Sequence, residues 1–203
     1  MKHGFLWPAL GGAAILLVAL LVIAGAMAAS GAFDVAADSP HSALGFRLLH
    51  YVRTRSVAVR AADVKVPPLT DPAMLVEGME HYDAMCTGCH LAPGMRENEM
   101  RPGMNPKPPV LYRMPRGNPA EQFWIVKHGI KMTGMPAWGT THTDEEIWDI
   151  VALLQKLPML SPAHYRALAA KAGHHHDDES MDTRMDVHMN GHMDMSQAPH
   201  DHK

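Results

Sequence analysis

Hydrophobic and polar positions divide the 203-residue chain into four stretches of different character. From Phe5 to Phe33 there is no charged residue, and the centre of the run is Ala, Leu, Ile and Val. At about 1.5 Å per residue such a helix is long enough to cross a bilayer core of about 30 Å. From Ser39 to Arg60 the apolar residues become periodic: Leu44, Leu48 and Val52 recur every fourth position with Leu49 beside them, and Arg47, Arg53, Arg55 and Arg60 lie mostly off that stripe. This spacing predicts a basic amphipathic helix opened by Ser39-Pro40. Its stripe either packs on the following domain, the simpler reading, or rests on lipid headgroups. Val66-Pro67-Pro68 then makes a stiff connection.

The third stretch reads as helices separated by turn signals. Asp71-Pro72 starts a helix that runs into the segment 86–90, Asn118-Pro119-Ala120-Glu121 forms a capping box for a helix ending near Gly129, and Thr143-Asp144-Glu145-Glu146 caps the apolar run Ile147 to Leu154. Pro158 stops that run. A further short helix spans Ser161-Pro162 to Gly173, with Tyr165 and Leu168 folding back on the domain. Between Pro93 and Pro115 prolines and glycines are dense, which predicts an irregular loop. Alternating strand patterns are missing, so the expected class is all-α. The expected boundaries are 1–33 for the apolar segment, 34–68 for the amphipathic helix and linker, 69–172 for the globular domain and 173–203 for a tail.

Composition sets the tail apart. From His174 to Lys203 there are seven histidines, five methionines and seven acidic residues against Arg184 and Lys203 as the cations, with no aromatic residue. A segment with so little to bury is expected to be disordered in isolation. Met181, Met185, Met189 and Met193 recur every fourth position, each followed by a short polar residue. Thioethers suit Cu(I) and imidazoles suit Cu(II), zinc or nickel, so His174, His175, His176, Met181, Met185, His188, Met189, His192 and Met193 are candidate copper ligands. A solvated acidic tail with no metal function has the same composition. The whole chain carries a formal net charge of −3. No block of basic residues interleaved with aromatics suggests nucleic acid.

The sharpest chemistry lies in Cys86-Thr87-Gly88-Cys89-His90, which holds both cysteines of the chain. Cys-x-x-Cys-His is the attachment pattern of a c-type haem. Two thiols three positions apart can each form a thioether to one vinyl group, and the next residue points its neutral imidazole at the iron. A thioredoxin-like redox pair wants a βαβ setting, and a zinc site wants further nearby cysteines or paired histidines; neither is present. With both cysteines committed to one covalent haem, no structural disulfide remains.

A second iron ligand is expected downstream, in the stretch Lys127 to Gly139. Met135 is the candidate, because its Gly-Met-Pro context favours a loop that holds a thioether out toward the metal. Met132 is the rival, and His128 would give bis-histidine iron. A His/Met pair would saturate the iron and favour electron transfer over O₂ chemistry. Met74, Met79, Met85, Met95, Met100, Met104 and Met114 are expected to be packing or surface residues.

Taken together, Gly78 to Tyr82, Cys86 to Gly94, Thr133 to Trp138 and the run Ile147 to Leu154 resemble a class I c-type cytochrome, over roughly Asp71 to Ala170. Phe33 to Asp38, Arg55 to Ala58 and Lys127 to Trp138 resemble membrane-anchored monohaem members from proteobacteria. The resemblance implies a mostly helical domain wrapped around one haem. It also implies that Gly78 and Tyr82 meet the Trp148 region, and that the carbonyl of Pro93 accepts a hydrogen bond from the other ring nitrogen of His90. Haem attachment in such proteins takes place outside the cytoplasm, which places the domain on the periplasmic side of a bacterial inner membrane with Lys2 inside. The apolar run is either a retained anchor or a cleaved signal, since Ala26-Met27-Ala28 is a small-x-small site; its length favours the anchor.

Three functions then compete. An electron carrier needs redox partners in the membrane or periplasm and no substrate pocket. Lys107, Arg113, Arg116, Lys127 and Lys131 either ring its haem edge and steer an acidic partner or are ordinary solvated cations. A haem peroxidase or reductase needs an open iron position and acid/base residues such as His128 or His142. A copper-binding haem protein would use the tail. The carrier is the expected function, and a catalytic residue is expected in none of these positions.

Overall fold

The computed structural model describes residues 6–32 and 34–173, and among them every regular element is helical. The chain divides into two units, Met1–His41 and Ser42–Lys203. The first contains α1, Leu6–Ala29. The segment Leu10–Ala29 is apolar and long enough to cross a membrane, and none of it is covered by other parts of the chain.

The second unit opens with α2, Ala43–Ala61. Its cap is Ser42, whose Oγ accepts from the Gly45 N–H at 3.1 Å, three residues later than the expected start at Ser39-Pro40. Near its C-terminal end Val57 and Ala61 are buried, and the helix packs on α5, Pro119–His128. The expected stripe is not what packs: Leu44, Leu48 and Val52 are exposed. The periodicity was legible, but the contacting face is a different one.

The core forms around α3, Pro72–His81, and α6, Asp144–Lys156. Asp71 caps α3 by accepting from the Ala73 N–H at 2.9 Å, with Pro72 in the first turn. Thr143 and Glu146 close a reciprocal capping box on α6. The two helices cross at Gly78, where a Cβ would collide with the backbone of Asp149 and Ile150. Only glycine permits this approach, and it lets α6 bury Ile147, Ile150, Val151, Leu153 and Leu154. Against α6 lies α5, capped by Asn118 alone, with Phe123 stacked on Trp148 at a centroid distance of 4.1 Å.

The α6 helix ends at Lys156, just before a short turn that contains Pro158. The last described segment, 162–173, is helical and is called α7. As expected it folds back: Tyr165 is buried and its hydroxyl donates to Asp83 Oδ1 at 2.7 Å, with Leu168 packed on the core. From Leu91 to α5 the chain is irregular apart from single turns at Arg101–Gly103 and Leu111–Arg113.

Candidate haem-binding site

The α3 helix does not stop before the cysteines. It passes through a π-helical turn, Tyr82–Cys86, into α4, Thr87–His90. Such an inserted residue is frequent at functional sites; here it sets Cys86 at the start of α4 and Cys89 one turn on, on a segment tied back by Thr87 Oγ1 donating to the Asp83 carbonyl at 2.8 Å. Both thiols are unbridged and half-buried. Burial, with Cys89 beside it, pushes the Cys86 thiol up to about 12. A redox-active dithiol needs a depressed thiol pKa, so this environment suits an uncharged thioether instead. The zinc alternative also fails among the described residues, which contain no cluster of three or more His, Cys, Asp or Glu able to hold a metal ion.

His90 follows directly, and its Nδ1 lies 2.9 Å from the carbonyl oxygen of Pro109. That bond leaves Nε2 as the nitrogen to face a metal and fixes the ring, as partners of metal-bound histidines do. Burial above all, with the cation of Arg101, lowers the His90 pKa against the opposing pull of the Pro109 carbonyl. That direction favours the neutral imidazole, the form in which histidine ligates a metal. Pro93 does not make this bond. It is buried three residues after His90 at the corner of a turn closed by the Met95 N–H and the Ala92 carbonyl, with Gly94 at φ 90°. The chain turns away there, and the acceptor arrives instead from the proline-rich loop. Prolines donate no N–H, and the carbonyl of Pro109 is claimed by no helix.

The C-terminal carbonyls of a helix lack intrahelical partners, and around α4 three side chains take them. Asn98 Nδ2 donates to Gly88 O at 2.6 Å, the guanidinium of Arg101 donates to Cys89 O, and the Tyr82 hydroxyl donates to Leu91 O at 2.7 Å. Arg101 is 1% exposed and is balanced by Glu97, whose Oε1 lies 2.9 Å from its Nε and 3.0 Å from Lys107 Nζ. Sequence reasoning missed Asn98, Arg101 and Pro109. The available signal was Glu97 and Arg101, opposite charges four apart inside a loop otherwise rich in Pro and Gly.

The three candidate distal ligands are placed differently. Met132 is 97% exposed at a positive φ of 58°. His128 is exposed at the end of α5, its ring tilted against Trp124. Met135 is half-buried and packs on the core. Its loop is tightly built: Met135 N–H donates to Thr133 Oγ1 at 3.1 Å, Thr133 Oγ1 donates to Ile130 O at 2.8 Å, and Ile130 N–H donates to Met135 O at 3.2 Å. Gly129, at φ 64°, ends α5 where a Cβ would lie 2.7 Å from the carbonyl oxygens of Met135 and Pro136. The methyl of Met104 lies against Gly134, so this methionine packs beside the loop.

Of the expected ring of cations, Lys107 pairs with Glu97, and Lys127 pairs with Asp144 at 2.6 Å. Both are neutralised locally rather than free to steer a partner. Arg113 lies over the Tyr112 ring, and Arg116 contacts the Met159 sulfur. The candidate copper ligands, His174 to Met193, lie outside the described residues.

A Cys-x-x-Cys-His turn, an imidazole fixed by the Pro109 carbonyl and a methionine loop on the core, all within a helical bundle, are the features expected of a c-type cytochrome. Residues 73–154 match the family described as cytochrome C oxidase, cbb3-type, subunit III, which makes this segment a class I c-type cytochrome domain. Such a domain carries haem c and transfers electrons. No curated protein and no solved structure matches the chain.

Proposed function

We propose that the protein is a membrane-tethered monohaem cytochrome c that passes single electrons between redox partners at the periplasmic face of a bacterial inner membrane. Cys86 and Cys89 would hold the porphyrin through thioethers, and His90 Nε2 and Met135 would ligate its iron. Haem c bound there supplies a one-electron ferric/ferrous couple. The chain's own residues do the rest. Pro109 orients and fixes the tautomer of His90, the caps on α4 hold the attachment turn rigid, and the loop of Gly129 and Thr133 holds the thioether in place. Electron transfer between saturated iron centres requires little change in ligand position, and a rigid cradle of this kind serves that need.

The observation that carries this reading is the contrast among the rivals: Met135 packs on the core, whereas Met132 is 97% exposed and His128 lies at the surface. An enzyme would need an open iron position, and nothing at the site favours one over the methionine. The name of the matched family suggests a membrane oxidase as the class of acceptor. Copper coupling through the tail rests on composition alone, and the carrier does not require it.

The oxidised haem-loaded protein is expected to show the near-infrared Met-to-iron charge-transfer band. Met135→His is expected to abolish it and to lower the reduction potential, while Met132→Leu leaves both unchanged. The reduced protein is expected to bind carbon monoxide slowly and incompletely. A band that survives Met135→His, or prompt full carbon monoxide binding by the unmodified protein, overturns the reading.

A further inference from the structure

The α2 helix has two apolar faces, and the domain covers one of them. Val57 and Ala61 are buried toward α5. Val59 stands two residues from each, about 200° around the helix, and so points to the opposite side. Val52 is two turns earlier, and Leu48 and Leu44 continue the same side by steps of four. These residues remain exposed: Leu44 77%, Leu48 59%, Val52 53% and Val59 56%. An apolar stripe left uncovered, interrupted by Arg55, marks an interaction site.

Three observations identify what covers it. Among the residues of α2 there are four arginines and no acidic residue; by the same helical geometry Arg55 stands within the stripe between Val52 and Val59, Arg47 and Arg60 stand toward its two sides, and Arg53 is nearer the Val57 side. A long arginine inside an apolar stripe can lay its stem along the apolar surface and carry its charge to the lipid phosphates, as basic residues do on a helix that lies in a membrane interface. Finally, α1 ends at Ala29 and α2 begins at Ala43. The thirteen residues between them span at most about 45 Å when extended, so a chain anchored through α1 keeps α2 within reach of the bilayer surface.

We propose that α2 lies on the anionic bilayer surface, its Leu44, Leu48, Val52 and Val59 stripe set into the headgroup boundary and its arginines at the lipid phosphates. Because Val57 and Ala61 bind the opposite face of α2 to the haem domain, the helix docks that domain at the membrane with α5 on the side away from lipid. The anchor tethers; α2 orients. The tether argument rests on the reading of α1 as an anchor, whereas the stripe and its charge do not.

The test uses the full-length haem-loaded chain in vesicles of phosphatidylcholine with or without phosphatidylglycerol, and a membrane-impermeant maleimide. Three variants each add one reactive thiol: Leu48→Cys and Val52→Cys on the stripe, and His50→Cys, which is exposed and lies half a turn from both. An unchanged haem spectrum shows that each variant is folded. With phosphatidylglycerol the two stripe positions are expected to label about 10-fold more slowly than His50→Cys. Replacing phosphatidylglycerol by phosphatidylcholine, or adding Arg47→Gln with Arg55→Gln, is expected to weaken the protection. Equal labelling at all three positions overturns the proposal. So does protection that is indifferent to lipid charge and is accompanied by Leu48→Cys cross-links between two chains, which assigns the stripe to a second copy. Alkaline carbonate extraction reports separately on the anchor, so loss of the protein from the vesicles counts against α1 and not against the stripe.

Discussion

Two helices of the second unit, α6 and α2, each carry an apolar stripe, and the two stripes meet opposite fates. On α6, Ile147, Ile150, Val151, Leu153 and Leu154 are all buried. On α2 the only buried residues are Val57 and Ala61, and a stripe of four large apolar side chains stays in the open. Part of the difference is in the helices themselves, since α6 segregates its apolar residues onto one side more sharply than α2 does. The other part is a partner shaped to receive the face: Gly78 removes the side chain that would hold α3 away from α6, and nothing in the described chain offers α2 such a surface on its outer side. An amphipathic pattern states that a face must be covered and is silent about what covers it.

The largest expected effect comes from spoiling that shaped surface. In Gly78→Ala the new Cβ collides with the carbonyl of Asp149, a backbone group that cannot rotate aside, so the whole crossing must open. The expected loss is about 3 kcal/mol, at the upper end of overpacking costs, read as a lowered urea midpoint of the haem-loaded protein. A midpoint shift below about 0.5 kcal/mol, the size of an ordinary surface change, would erase the contrast between α6 and α2.

A second break targets the polar half of the closed region. Arg101→Met keeps apolar bulk but strips Cys89 O of its donor and Glu97 of one of its two cations. The expected cost is about 2 kcal/mol, the scale of a buried hydrogen bond to a charged group. It should come with a broadened proximal-histidine signature in the spectrum of the paramagnetic haem. Stability loss without any change at His90 would reduce Arg101 to a packing residue.

Much of this was legible in advance, for identifiable reasons. The caps Asp71, Asn118 and Thr143 and the stop near Pro158 are local signals whose physics acts within a few residues. The crossing at Gly78 was reached through resemblance, and the structure places it against Asp149 and Ile150. What escaped were contacts that close long loops. Pro109 reaches His90 from nineteen positions away, and Arg101 reaches Cys89 from twelve. Many carbonyls in a proline-rich loop are equally free to accept, and a sequence does not reveal which one the loop presents. Pro93 was the wrong choice because nearness along the chain is no guide where a turn intervenes. The face chosen for α2 failed for the related reason that two sides of one helix were both apolar.

The smallest effect sharpens the comparison at the rim of the closed crossing. Asp149, whose carbonyl faces Gly78, has a half-exposed carboxyl, and its pKa is raised from 3.8 to about 6 by burial, with Glu77, Glu145, Glu146 and Asp71 adding repulsion. A carboxyl that holds its proton more tightly when folded makes the folded state bind more protons than the unfolded one between pH 4 and 6. Stability therefore falls as pH rises through that window and stays lower above it. Asp149→Asn removes the ionisation, so the variant should match the wild type below pH 4 and exceed it above pH 6. Solvent screening at this half-exposed position keeps the gain under about 1 kcal/mol. Subtracting variant from wild-type urea midpoints at several pH values isolates this carboxyl from every other titrating group. A variant less stable than wild type at pH 7.5 would mean that the ionised Asp149 is compensated, and that the crossing is closed in charge as well as in shape.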